Sequence, residues 1–355
     1  MKILFIPHVP NKNIINRVYE FAKNSNNYFL NWEISNDSFY DKIISQLKSV
    51  FTKISLVDNV LNVPLLYKPE SFSIYINTKI LNRVIRQYNI DIVVNANALL
   101  FDIKNICVPV IYDMVDDHLS LNVDIGLNLK RIAKIEEDVR NSKAIVCVTE
   151  EIEKKVKYLN ANTITIENGL YIDKFNQSKS LKKELKLENK IVFGYIGGVD
   201  KWTGIEEVCE EYLRIKNNFN AMLVVGDSKS IFFKTLKEKY KDEIIFCGLI
   251  PPAEVGNYFK TLDIGLIPFK LNDFTNNAYP IKALEYGLSG ANVISTHLKV
   301  LKNKNFPFIE FCNIEDFGDI MKKREKGIYN FDFDFSELSW MKQTEKLLTF
   351  IEGQK

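Results

Sequence analysis

The stretch DIGLIPFKLNDFTNNAYPIKALEYGLSGANVIST, residues 263–296, reads as a strand, a polar loop, a helix and a second strand. Its first run is apolar on both alternating faces, the pattern of a parallel strand covered on each side. That run ends at Pro268, and the loop then carries Asn272, Asp273, Thr275, Asn276 and Asn277. Tyr279 precedes Pro280, which suits the first position of a helix because its missing N–H costs nothing there. The helix is expected from Ile281 to about Tyr286, with Gly287 and Gly290 near its end. A helix amino terminus after a strand and loop offers unpaired N–H groups and a positive dipole end to anionic oxygens. Lys282 adds a positive charge in the first turn, and Glu285 lies three residues on, on the same face. A carboxylate so placed can accept both hydrogen bonds of a ribose diol. The pattern suggests a nucleotide diphosphate site; the plainer alternative is a surface ion pair between Lys282 and Glu285.

Outward from this stretch the same alternation fills the chain. Strands are expected at 2–7, 91–96, 109–112, 144–148 and 163–166, then at 191–197, 221–226, 244–247, 263–268 and 291–295. Helices are expected at 13–23, 74–88, 128–141, 150–158, 205–216, 230–241 and 253–262. Strand–helix alternation throughout predicts α/β, doubly wound domains. A polar, lysine-rich stretch between Phe175 and Lys190 has no strand signal and reads as a linker with a short helix. It separates two strand–helix series, so two domains facing a cleft are expected, with ligands at the carboxyl ends of the strands.

Composition narrows the function. The 355 residues suit two domains at ~150 residues each. Lys plus Arg number 47 against 45 Asp plus Glu, so no basic surplus marks a nucleic-acid binder. No apolar run approaches the ~20 residues that span a bilayer, and the amino terminus lacks the form of a secretory signal. Five dispersed cysteines, with Cys107, Cys147 and Cys247 in strand-like runs, read as reduced core thiols of a cytoplasmic protein. Three separated histidines and no cysteine pairs argue against a metal site.

The signature P-x-K-x-x-E-Y-G, followed by a small-residue turn and V-I-S-T, resembles the carboxyl domain of GT-B glycosyltransferases, especially family 4. Four further stretches fall in that family's order: IVFGYIGGVDKWTGIEEV (191–208), IIFCGLIPPAEVGNYFKTLDIGLIPF (244–269), VCVTEEIEKKV…ITIENGLYIDKF (146–175) and SELSWMKQTEKLL (336–348). Together they cover roughly residues 90–350, and ordered matches weigh more than any one motif. Residues 13–90 match nothing comparable.

The resemblance implies a GT-B fold of two doubly wound Rossmann-like domains. Residues 1–175 would bind acceptor, 176–335 would bind the nucleotide-sugar donor, and a carboxyl-terminal helix at 336–355 would pack back on the first domain. It makes Glu285 the ribose glutamate, Lys282 a phosphate-side lysine, and Gly197 and Gly198 the glycines that let backbone approach the diphosphate. Lys201 is a second phosphate lysine at a shifted spacing. Many family members carry a glutamate eight positions before the ribose glutamate, where this chain has Asn277. An amide bonds sugar hydroxyls but supplies no negative charge. Asn272, Thr275 and Asn277 are then candidates for the donor sugar, with Tyr279, Pro280 and Ile281 lining the same segment.

In the amino domain, VIYDMVDDHLSL (110–121) places Asp113, Asp116, Asp117 and His118 after a strand expected to end at Tyr112. Adjacent carboxylates there can orient or deprotonate an acceptor hydroxyl, one with a raised pKa; the alternative is helix capping. His8, after the first strand, faces the same edge. The implied activity is transfer from a nucleotide-diphosphate sugar, UDP ahead of GDP, to a glycan, lipid-linked or protein acceptor, with retention and without a cofactor. The setting would be bacterial surface polysaccharide or glycoconjugate assembly. Catalysis would rest on Lys282, Glu285 and, for an inverting enzyme, Asp116 or Asp117 as base. Lysine-rich patches at 179–190 and 322–326 are candidates for peripheral contact with the inner face of the membrane. The rival readings are a non-catalytic subunit of a transferase complex and a sugar-nucleotide 2-epimerase.

Overall fold

The computed structural model describes residues 1–9, 17–32, 54–66, 70–97, 99–120, 129–227, 229–324 and 330–354. The start of the helix expected at 13–23, Asn128, and Lys326 of the second basic patch lie outside the described residues. The chain forms two compact units, Met1–Gly169 with Trp340–Lys355, and Leu170–Ser339.

The first unit holds β1 (Ile3–Ile6), β2 (Tyr28–Asn31), β3 (Ser55–Val57), β4 (Val60–Asn62), β5 (Ile92–Asn95), β6 (Val110–Met114), β7 (Ala144–Cys147) and β8 (Thr163–Thr165). They lie in the order β3-β4-β2-β1-β5-β6-β7-β8. All pairs are parallel except β3 with β4, a hairpin turned by Asp58 and Asn59 at φ 47° and 63°. Two successive left-handed residues are what a two-residue hairpin requires, and Asp and Asn tolerate them. Strands β1, β5, β6 and β7 are buried along their whole length, as a sheet covered on both faces must be. The helix Trp340–Glu352 belongs to this unit. Trp340 meets the Phe21 ring edge-on at 5.7 Å, and its backbone stands 2.5 Å from where a Cβ on Gly169 would be.

The second unit is an all-parallel sheet of β9 (Ile191–Ile196), β10 (Asn220–Val225), β11 (Ile245–Gly248), β12 (Ile264–Ile267), β13 (Asn292–Ser295) and β14 (Ile309–Phe311). Their order is β11-β10-β9-β12-β13-β14, which reverses between β9 and β12, as that of the first sheet does between β1 and β5. Such reversal points are where doubly wound sheets leave a crevice at the strands' carboxyl ends.

Four details differ from the sequence reading. Strands β2, β3, β4 and β14 are not among the expected strands; each is three or four residues long, and β3 is exposed throughout. The division falls after Gly169, not Phe175: the helix Ile172–Gln177 joins the second unit, with Phe175 buried 5.4 Å from the Phe259 ring. The stretch before Lys190 is no free linker. It consists of turns pinned to the second unit by Lys182 on Asp263 (2.6 Å), Leu181 N–H on Thr261 (2.7 Å) and buried Leu187. Cys107 is exposed and lies before β6, outside any strand.

Candidate active site

In the second unit β9 and β12 face each other only at Phe193–Ile264 and Gly194–Gly265. Beyond those pairs the Gly197–Gly198 turn leaves β9, and residues 268–280 lead from β12 to the helix Ile281–Ser289. That helix is longer than expected. It closes at Gly290, whose φ of 92° an L side chain rarely adopts. Pro280 sits just outside it as the cap, at φ −78° and ψ 77°, with no side-chain cap hydrogen bond.

Lys282 and Glu285 lie on the half-buried face of this helix. They form no ion pair with each other, which removes the plainer alternative, and neither side chain is spent on another described group. Burial pushes the Glu285 carboxyl above its ordinary range, while Lys282 and then Lys174 pull it back. The Lys282 side chain runs over Gly197: its Cε is 2.5 Å from where a Cβ on that glycine would be. At Gly198, by contrast, a Cβ would meet nothing within 4 Å. An ammonium, an open glycine turn and a carboxylate three residues along a helix are together suited to a diphosphate joined to a diol. Lys201 is exposed, in a short turn capped by Asp200, whose carboxylate accepts the Lys201 N–H at 2.6 Å.

The loop candidates fare unequally. Residues 272–277 are not a polar loop but a short helix, Asp273–Asn277, opened by a capping box. Asn272 accepts the Thr275 N–H at 2.8 Å, and the Thr275 hydroxyl accepts the Asn272 N–H at 3.0 Å. That hydroxyl also donates to the Lys270 carbonyl at 2.7 Å, and Thr275 is buried. Its side chain therefore holds the helix start. Asn277, Tyr279 and Ile281 are half-buried and Pro280 is buried, all on the approach to Lys282.

In the first unit the structure sorts the aspartates. β6 runs on to Met114, so Asp113 lies inside the strand, where it is fully buried and holds Arg17 at 2.9 Å. Arg17 also donates to the Ile166 carbonyl at 2.7 Å. Asp117 is buried too. It accepts the Ser120 hydroxyl at 2.6 Å, the N–H groups of Leu119 and Ser120, and the Lys155 ammonium at 2.9 Å. Neither caps a helix, and both are committed to structure. Asp116, His118 and His8 are half-buried, and their side chains carry no hydrogen bond among the described residues. Burial, then the Asp117 charge, raises Asp116 to about 7. Burial, then His8, lowers His118 to about 4, so its imidazole is neutral at pH 7. His8 is lowered by burial as well; its carbonyl accepts the Asn97 amide at 3.0 Å at the end of β5.

Sequence reasoning passed over Arg17, Lys155, Lys174 and Tyr195. The first two sit on helices where a basic residue looks like solvated surface, and their carboxylate partners are distant in sequence, Asp113 within β6 and Asp117 in the turn after it. Among the described residues no three His, Cys, Asp or Glu side chains gather where a metal ion could be held, and no helix is long and apolar enough to cross a membrane.

The fold recurs in solved structures. HepE of Anabaena, crystallised with UDP and glucose, superposes with a TM-score of 0.69 over 99% of this chain and 98% of its own, at 12% identity. Sucrose-phosphate synthase of Thermosynechococcus elongatus gives 0.69 over 99% of each chain at 10% identity. WaaG, a glycosyltransferase involved in lipopolysaccharide biosynthesis, gives 0.64 over 98% and 95% at 12% identity. The fold is GT-B. In sequence, TuaH of Bacillus subtilis (strain 168), assigned to teichuronic acid biosynthesis as a glycosyltransferase, is 25% identical over 179 residues. That match spans 48% of this chain and 44% of the relative, less than half the length of either. No protein-family model matches the sequence.

Proposed function

We propose that this GT-B chain is a glycosyltransferase that moves a sugar from a nucleotide diphosphate, UDP ahead of GDP, to a hydroxyl acceptor in polysaccharide or glycoconjugate assembly. The observation that carries it is the pair Lys282 and Glu285, unspent on one helix face at the reversal point of the second sheet, with Lys282 lying over Gly197. The UDP complexes of HepE and the TuaH assignment support the donor class and the setting. Lys282, Lys201 and the Gly197–Gly198 backbone would stabilise the charge that develops on the leaving diphosphate. Glu285 would hold the ribose, and Asn277 and the segment Tyr279–Pro280–Ile281 would border the donor. A non-catalytic subunit would have no need to keep Lys282 and Glu285 unpaired.

Retention is the first reading, with a leaving-phosphate oxygen taking the acceptor proton as the new glycosidic bond forms on the face the diphosphate leaves. One observation favours inversion: Asp116, unbonded and raised to about 7, has the properties of a protein base, with neutral His118 nearby. The anomeric configuration of the first product, read by NMR after incubation with UDP-sugars and glycan or lipid-linked acceptors, decides between them. Turnover with the same configuration as the donor supports retention; the opposite anomer moves the proton to Asp116. No transfer with any UDP- or GDP-sugar contradicts the enzymatic reading.

A lipid-linked acceptor would bring the protein to the inner face of a membrane. The support is a stripe on the helix Glu70–Tyr88: Phe72 and Tyr75 are 56% and 55% exposed, and Lys79 sits 4.2 Å over the Tyr75 ring, with Arg83 one turn on. Exposed aromatics beside basic side chains suit an anionic interface. Co-sedimentation with phosphatidylglycerol vesicles that falls sharply in Phe72→Ser/Tyr75→Ser supports this; equal pelleting of both proteins contradicts it.

A further inference from the structure

Pairing between β9 and β12 stops early, and two tyrosine hydroxyls act where it stops. Ile191 and Gly197 donate their N–H groups to Phe219 and Val225 on the β10 side. By the two-residue alternation of a strand, Val192, Gly194 and Ile196 turn theirs toward β12. Val192 accordingly donates to Asp263 at 2.8 Å. Gly194 is the last β9 residue with a β12 residue opposite it. The next such N–H, on Ile196, is buried and donates at 2.8 Å to the hydroxyl of Tyr286, a side chain from the helix. Tyr286 is fully buried and reaches this point because Gly265 has no side chain; a Cβ there would stand 2.2 Å from the ring. On the adjoining residue, the Tyr195 hydroxyl donates to the Gly198 carbonyl at 2.6 Å and lies 3.2 Å from where a Gly197 Cβ would be. Both ends of the glycine turn are thus held by phenols, one of them on the residue that follows Glu285.

We propose that Tyr286 and Tyr195 are positioning residues for the donor diphosphate, their hydroxyls fixing the Gly197–Gly198 turn against the helix that carries Lys282 and Glu285. This rests on the donor-site reading above. The physical need is clear: where β12 withdraws its carbonyls to open the crevice, the edge of β9 loses the bonds that would otherwise define its conformation. A phenol wedged between the strands restores one bond without closing the gap. Phenylalanine at 286 would leave the Ile196 N–H buried without an acceptor, a cost equivalent to roughly tenfold in an equilibrium constant.

The test is a double-mutant cycle on the full chain, read by calorimetric titration with UDP and the other nucleoside diphosphates. Tyr286→Phe is expected to weaken binding by up to about tenfold, as the turn spends less time in its binding conformation, and Lys282→Ala to cost less in that background than in the wild type. A hydroxyl that served folding alone would lower the melting temperature and leave the two losses additive, and that result overturns the proposal. If Tyr286→Phe does not fold, Tyr195→Phe carries the same cycle: coupling to Lys282→Ala supports the latch, and additivity overturns it. A wild type that binds no nucleoside diphosphate overturns the donor-site reading itself and the latch with it. A wild type that binds, beside variants that bind equally well, overturns only the latch.

Discussion

A carboxylate kept half-buried and without a hydrogen-bond donor costs free energy, and a fold retains it only where something else is gained. Glu285 is in that position, and so is Asp116. Their neighbours show the contrast: Asp113 and Asp117 differ from Asp116 by a few positions, yet each is bound to a buried or half-buried cation. The Asp116 carboxyl, raised to about 7, holds a proton in the folded chain that it loses near 3.8 when unfolded. Its contribution to stability is therefore full below about pH 4 and gone above pH 7, and Asp116→Asn should flatten the melting temperature across that window. If Asp116 is the base, the wild-type rate should rise with pH through about 7, and Asp116→Asn should abolish that rise along with most of the activity. A retaining enzyme would show the stability effect without the rate effect. None of this sorting was legible in the sequence, because YDMVDDH shows four candidates of similar chemistry. What distinguishes them is where β6 ends, and that end is set by pairing with β7 through Met114, not by local propensity.

At the scale of the element, two of the glycines after β9, Gly204 and Gly198, make opposite predictions. A Cβ on Gly204 would stand 2.1 Å from the Pro268 carbonyl, at a φ of 66°, so Gly204→Ala should destabilise the protein by about 1–3 kcal/mol. Gly198→Ala meets nothing within 4 Å. It should leave the melting temperature unchanged while weakening nucleotide binding, because the space a methyl would take is space for the ligand. Loss of stability at Gly198, or binding unaffected by the methyl, would count against a diphosphate in that turn. The strand–turn–helix pattern here was readable because buried parallel strands are long apolar runs and Gly-Gly and Pro punctuate them. The short helix Asp273–Asn277 was not, since N-D-F-T-N-N resembles a loop until Thr275 is seen closing a capping box.

For the whole molecule, the chain leaves the first unit after Gly169 and returns to it at Trp340. Its last helix is part of the amino-terminal core: Leu347 and Ile351 are fully buried, and Trp340 nearly so. Leu347→Ala should cost about 2–5 kcal/mol, and denaturation should report that loss in the first unit rather than the second. The doubly wound plan was legible from residue 90 as far as β13, where strands are buried and recurrent; β14, half-buried throughout, was not. Before that, β1 and the helices Arg17–Asn24 and Glu70–Tyr88 were legible but β2, β3 and β4 were not: all three are short and one is wholly exposed. The most direct test of the central claim, a donor site built on the helix Ile281–Ser289, is thermal stabilisation by nucleoside diphosphates in the wild type and in Glu285→Ala. At one hundred times its dissociation constant a bound nucleotide adds about 2.7 kcal/mol; UDP is expected to do so in the wild type and to fail in the variant. Equal stabilisation of both proteins, or of neither by any diphosphate, would contradict it.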